Sequence, residues 1–319
     1  MEPLAPISLD EVRAAAGRIA GTALRTPLLR LDHDASSAQI HVKLENLQPV
    51  GSFKLRGAAN SVATLDRTAL AAGLATASAG NMARAVAWLA ERHGVDCTVI
   101  VPDSAPAAKL DPIRAHGAEV VSVPFERWWQ ALQDGGHPAA TGTFLHPFAS
   151  GPMMAGNGTI GLELVEDLPD LAAVVVPFGG GGLSCGIACA VKALRPGTRV
   201  YAAEVEDAAP LAASLAAGHP VTIEHRRSFV DGIGSGGLLG EMWPLASSVL
   251  DGSIVVSLDE VAAAMRLLAS RGRVVAEGAG AAALAAALTG RAGDGPMAVV
   301  VSGGNIDRPL LAEILARAS

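Results

Sequence analysis

Ala173-Val174-Val175-Val176-Pro177-Phe178-Gly179-Gly180-Gly181-Gly182-Leu183-Ser184 holds the transition on which the fold turns: an apolar β-branched run, four glycines, and a start of helix near Ser184. A continuous apolar run is what a strand buried on both faces of a parallel sheet requires. Four residues without Cβ atoms let successive backbone N–H groups wrap an anion, and the helix start adds its partial positive charge. The glycines therefore read as a phosphate cup. A nicotinamide-dependent oxidoreductase is an alternative at this point, since Gly179 and Gly181 match two fingerprint glycines and Glu204 ends the next strand where a ribose-binding acid would stand. Ser184 occupies the third glycine's place, which weakens that alternative.

Outward from this stretch the same rhythm repeats: a short apolar run, a small-residue turn, an Ala/Leu-rich helix. Strands are expected at Cys97–Val101, Ala118–Val123, Ala173–Val176, Arg199–Ala203, Ile254–Val256 and Met297–Val301. That alternation predicts an α/β protein with mainly parallel sheets. Ser8-Leu9-Asp10-Glu11 and Ser257-Leu258-Asp259-Glu260 carry the same capping-box signature, the second leading into a helix that stops at Gly272. A further helix is expected from Asn81 through Trp88 to Gly94. Between Pro124 and Pro152 the rhythm is lost, and the end of that segment is read as a domain junction.

Composition limits the function classes. The chain has 319 residues, half of them apolar and 17% charged, with a net charge of −7, which describes a globular protein without the basic stripe that nucleic acid needs. The N-terminus lacks a basic region followed by an apolar stretch, and no window offers ~20 strongly apolar residues, so a cytoplasmic protein that engages no membrane is expected. Three cysteines cannot all pair; Cys185 and Cys189, four apart on one expected helix face, read as core thiols rather than metal ligands.

A second motif, Gly51-Ser52-Phe53-Lys54-Leu55-Arg56-Gly57, follows Lys43-Leu44-Glu45-Asn46. Lys54 stands between two apolar residues with glycines on both sides, as suits an amine that is desolvated and held close to a cofactor. With Ser78-Ala79-Gly80-Asn81, Gly156-Asn157-Gly158-Thr159-Ile160, Glu163, Gly179–Leu183, Asp231-Gly232 and Ser302-Gly303-Gly304-Asn305, in this order, the chain resembles the fold-type II pyridoxal-phosphate enzymes of the serine/threonine dehydratase family along nearly its whole length.

The resemblance implies two domains, each an open mainly parallel sheet flanked by helices in the manner of tryptophan synthase β, with the cofactor in the cleft between them. Residues 1–66 and 150–319 would form the large cofactor-binding domain and 67–149 the small domain closing over the substrate. It implies Lys54 as the Schiff-base lysine and the catalytic base, Phe53 and Gly232 beside the cofactor ring, Asn81 on its 3-hydroxyl oxygen, and Gly179, Gly180, Gly181, Gly182 and Leu183 around its phosphate. Ser302 would face the ring nitrogen, and a neutral hydroxyl there leaves a poorer electron sink than a carboxylate would. Ser78, Ala79, Gly80 and Asn81 would bind the substrate carboxylate; simple N-capping is the plainer reading of Ser78 and Asn81, and both can hold together.

The implied reaction is the loss of water and ammonia from a small hydroxy amino acid such as L-threonine or L-serine, giving a 2-oxo acid: a carbon–nitrogen lyase. A serine or amino-acid racemase and a 3-hydroxyaspartate dehydratase are the alternatives within the fold. Racemising relatives carry a serine at the place of Ala79, which bears on that choice. The implied assembly is a homo-oligomer, a dimer. Met82 replaces the histidine common after the turn Asn, which points to a somewhat different pocket. Relatives with a divalent cation place one acid at a strand end and another six positions on. Here Glu204 fits but residue 210 is proline, leaving Glu204 and the Ala208 carbonyl as a weakened site for Mg2+ or Ca2+. The chain stops at Ser319, soon after the Ser302 motif, so no appended regulatory domain and no feedback control are expected.

Overall fold

The computed structural model describes residues 3–34 and 38–317. Among these residues, ten strands make two sheets: β1 (Leu28–Arg30), β2 (Ile40–Lys43), β3 (Leu74–Ala77), β4 (Cys97–Pro102), β5 (Glu119–Val123), β6 (Thr143–Phe144), β7 (Ala173–Pro177), β8 (Arg199–Val205), β9 (Gly252–Val256) and β10 (Met297–Val300). The larger sheet runs β1-β2-β10-β7-β8-β9, with only the β1–β2 pair antiparallel. The smaller runs β5-β4-β3-β6, all parallel. The expected α/β class with mainly parallel sheets is what the chain adopts. No helix among the described residues is long and apolar enough to cross a membrane.

The elements form for local reasons. Val174, Val175 and Val176 are fully buried at the centre of the larger sheet, as their unbroken apolar run requires. The helix Gly278–Leu288 is alanine or glycine at nine of its eleven positions and packs against the same sheet, buried on nearly every side, because small side chains let it lie close to the strands. Both capping boxes are formed, each worth about 1 kcal/mol at a helix start. The helix Asn81–His93 buries Met82, Val86 and Leu89 and ends at Gly94, whose φ of 67° no β-carbon would favour. The segment read as rhythmless between Pro124 and Pro152 contains the helix Phe125–Asp134 and β6. Its buried face is short, Ala131 and Leu132 with the half-buried Trp128 and Trp129 beside them, which left little period to read.

Both sheets open their carboxyl edges onto one cleft. Residues that follow β3, β4, β7 and β10 line it, in keeping with the rule that parallel sheets present their sites at the strand C-termini.

Candidate active site

The cleft has a volume of about 890 Å3. Phe53, Lys54, Ser78, Ala79, Gly80, Asn81, Gly179, Gly180, Gly181, Gly182, Leu183, Gly232 and Ser302 all line it. Residues scattered over some 250 positions of sequence thus meet in one place.

Lys54 is the first residue of the helix Lys54–Ala63, with Phe53 before it at the cap. Its Nζ donates to the Pro147 carbonyl at 2.6 Å and lies 5.1 Å from the centre of the Phe53 ring. Burial lowers its pKa to about 8. The segment leading into Lys54 is stitched to the end of β10: Phe53 N donates to Ser302 O at 3.0 Å, and Gly304 N donates to Gly51 O at 2.9 Å. Gly51 has φ of 76°, and a Cβ there would collide with the Asn305 side chain, so this turn admits glycine alone. Ser302 is 3% exposed at the cleft wall, and its hydroxyl makes no hydrogen bond among the described residues.

The glycine turn follows β7. Gly181, at φ 87°, caps the helix Gly182–Leu194, and a Cβ on Gly180 or Gly182 would overlap the ring or the carbonyl of Phe148. Asn157 Nδ2 donates to Gly182 O at 3.2 Å and Ser184 Oγ to Gly181 O at 3.2 Å, which hold the turn from below. Phe148 belongs to a turn organised by His146. His146 Nδ1 accepts from the backbone N of Phe148 at 3.3 Å and of Ala149 at 2.8 Å, while Nε2 faces Leu132 O at 3.1 Å. Burial pushes this imidazole down to about 4, with Lys54 adding to the effect, so it is neutral at physiological pH. Pro147 and His146 carried no signal in the sequence.

Ser78 to Asn81 form the turn after β3. The helix cap is Gly80, without a side-chain cap, and Ser78 Oγ accepts from Gly80 N at 3.2 Å. Simple N-capping by Ser78 or Asn81 is therefore not what the turn does. Asn81 is instead drawn into the cleft, where Nδ2 donates to Glu277 Oε1 at 2.7 Å. Glu277 was not singled out by the sequence; its one signal is an acid directly before a small-residue helix. Burial pushes its carboxyl up to about 7, against the Asn81 hydrogen bond. Gly232 lies in the short turn Asp231–Ile233, where a Cβ would stand 2.9 Å from that of Ala279.

Beneath Lys54, four charged side chains are buried together. Arg56 donates to Glu45 through Nε and Nη2, each at 2.8 Å, and to Glu163 through Nη1 at 2.6 Å and Nη2 at 2.9 Å. Lys43 Nζ donates to Glu163 Oε2 at 2.5 Å and to Thr26 O at 2.6 Å. Burial would raise Glu45, but Arg56 outweighs it and holds the carboxyl below its ordinary value. With each charge answered by an opposite one, the set ties β2, the Lys54 helix and the helix Gly151–Asp167 together.

The expected cation donors Glu204 and Ala208 do not line the cleft. Glu204 Oε1 accepts from Leu211 N at 2.8 Å, and Oε2 accepts from Ala212 N at 2.8 Å and from the Ser253 hydroxyl at 2.6 Å. The carboxylate thus serves the start of the helix Pro210–Ala217, which Pro210 opens. Glu206 accepts from Leu258 N and Asp207 pairs with Arg226, so neither supplements it. A hard divalent cation wants about six oxygens, and this donor set does not fit one. The three cysteines are free and buried, with Cys97 pushed up to about 12 by burial, which suits inert core thiols.

The family model described as pyridoxal-phosphate dependent enzyme matches residues 19–303. Among characterised sequences, the L-threonine ammonia-lyase of Thermotoga maritima is 36% identical over 315 residues, 97% of this chain and 78% of that one. Among solved structures, maize serine racemase superposes with a TM-score of 0.88 at 31% identity, covering 97% of each chain. The T.th. threonine deaminase superposes with a TM-score of 0.83 at 36% identity, covering 94% of this chain and 99% of its own.

Proposed function

The chain belongs to the pyridoxal-phosphate dependent enzymes, and from that premise we propose that it is a deaminating dehydratase of a small hydroxy amino acid such as L-threonine or L-serine, releasing a 2-oxo acid and ammonia. The observation that carries this reading is the pairing, in one cleft, of a buried lysine amine with a pKa of about 8 and a turn whose residue 79 offers only a methyl group. An amine so placed is neutral often enough near neutral pH to act as a base. Inversion of a stereocentre needs a second proton carrier on the other face, and Ala79 is none.

Pyridoxal phosphate, when bound, supplies an electron sink for a carbanion at the substrate Cα. The residues present fit it. Four glycines, two of them packed against Phe148, make a turn without side chains of its own, suited to a phosphate; Lys54 offers an amine that would anchor the group; Ser302 offers a hydroxyl at the cleft wall; Asn81 offers an amide. Lys54 would hold the cofactor through its amine, and that amine, when free, is placed to take the Cα proton. The turn Ser78–Asn81 holds the substrate carboxylate at the start of a helix, where the dipole favours an anion. The apolar walls, Phe53 and Phe148 among them, keep water away and so keep the amine's pKa low.

We read residues 67–149 as the small domain that closes over the substrate and 1–66 with 150–319 as the large one. In support, β3 to β6 all fall inside the first span and the other six strands outside it. Racemisation is the second reading, favoured by the similarity to maize serine racemase.

The test is a panel of L- and D-serine, threonine and 3-hydroxyaspartate, scored for 2-oxo acid and ammonia, with chiral chromatography of the residual substrate. Wild type should form 2-oxo acid with negligible inversion, and Lys54→Ala should lose turnover together with the borohydride-sensitive visible band. Ala79→Ser should gain measurable racemisation. Substantial D-serine from L-serine with the unaltered protein would reverse the choice between the two reactions.

A further inference from the structure

Asn81 lies inside a hydrogen-bonded chain whose ends fix its direction. At one end Arg84 Nη1 donates to Asn305 Oδ1. Asn305 Nδ2 donates to the Val50 carbonyl at 2.9 Å and to Asn81 Oδ1 at 2.7 Å. Asn81 Nδ2 donates in turn to Glu277 Oε1 at 2.7 Å. An amide side chain can ordinarily turn over and exchange its donor for its acceptor. Here it cannot. A guanidinium only donates and a backbone carbonyl only accepts, so Asn305 has one orientation, and it presents a donor to the Asn81 oxygen. An ionised carboxylate only accepts, so the far end closes the chain in the same sense. Asn81 is left with its oxygen occupied, one N–H committed and one N–H free, and it lines the cleft. Toward the cleft it can present that free N–H as a donor.

We propose that Glu277 is a positioning residue, acting through Asn81 with Arg84 at the opposite end of the chain, and that it locks the Asn81 amide as a donor toward an acceptor oxygen of bound pyridoxal phosphate. This rests on the cofactor reading above. The chain joins residues 196 and 224 positions apart, from the helix Asn81–His93, the segment after β10 and the start of the helix Gly278–Leu288, so no single element would produce it.

Placing an acid there is costly. Burial disfavours the carboxylate and Asp231 adds to that, while Asn81 and Lys109 ease it and Arg84 stands near. Buried acids held off their ordinary pKa concentrate at functional sites, which fits a positioning role for Glu277. Its protonation also matters to the lock: a neutral carboxyl can donate as well as accept, and the polarity of the chain is then no longer forced. Glutamine at this position imitates that state at every pH.

The experiment measures pyridoxal-phosphate affinity and the visible band of the bound cofactor in wild type, Glu277→Ala and Glu277→Gln between pH 6 and 9, with thermal melting of the cofactor-free proteins as the folding control. Loss of one such contact should weaken cofactor binding about tenfold in Glu277→Ala and move the band. Glu277→Gln should keep most of the affinity but lose the wild type's change near pH 7. If Glu277→Ala fails to fold, Arg84→Ala opens the other end of the chain and should shift the band in the same direction. A band and affinity unchanged in the folded variants, with only melting affected, overturn the proposal while leaving the cofactor reading intact. A wild type that takes up no pyridoxal phosphate overturns both.

Discussion

Lys54 sits in a cleft that disfavours its ammonium form, and this fixes the direction of its pH dependence. Between about 8 and its ordinary value of 10.5 the folded chain holds fewer protons at this residue than the unfolded one, so this group's contribution makes the cofactor-free protein more stable as pH rises through that window. On the proposed function, the same neutral amine would take up the cofactor. Loading with pyridoxal phosphate, followed by absorbance, should therefore quicken from pH 7 to 9 with a midpoint near 8, and a rate flat across that range would mean the amine is not buried as described. Lys54 drew notice in sequence through its apolar neighbours and flanking glycines together with the ordered motifs around it, and the structure buries its amine at the cleft wall. Glu277, Arg84 and Pro147 were not legible in sequence, since what makes them matter is contact across the cleft with residues 93 to 221 positions away.

Among the elements, the helix that begins at Lys54 is placed by Arg56, two residues along it, whose guanidinium is gripped by Glu45 and Glu163. Removing one partner from such a buried set leaves unanswered charge, and Arg56→Met should cost about 3–5 kcal/mol by urea denaturation. Cofactor affinity should fall with it, as the helix start loses its register. A change below ~1 kcal/mol would mean the set is solvated in solution. The six strands foreseen from sequence are those with long apolar or β-branched runs, and all six form. The four that escaped have physical excuses: β2 alternates with His41 and Lys43, β3 is mostly alanine and threonine, β1 has three residues and β6 two. Parallel pairing to strong neighbours, rather than their own propensity, makes β2 and β3 strands, and β6 is added as a two-residue edge beside β3.

At the scale of the whole molecule, the cleft is spanned by the part-buried chain Arg84–Asn305–Asn81–Glu277 and by a few more exposed polar contacts besides. Lys109, in the helix Ala107–Arg114, pairs with Asp231, and Arg227 Nη2 donates to Ser104 Oγ at 3.2 Å. These contacts are largely solvent-exposed and individually weak, so they can open and close on the scale of turnover. Hydrogen exchange should slow in residues 102–114 and 225–234 when substrate analogue binds the holoenzyme, and Lys109→Ala should raise KM more than it lowers kcat. Equal protection with and without ligand would mean the cleft does not close.

The turn from His146 to Ala149 touches the Lys54 amine through Pro147 and the glycine cup through Phe148, and a neutral imidazole ties its backbone into one shape. One short piece of chain therefore acts as a spacer: it meets the lysine through a hydrogen bond and the glycines through packing of Phe148, so a shift of this turn is felt at both places at once. A substitution that reshapes this turn would then disturb the amine and the glycines together rather than either one alone.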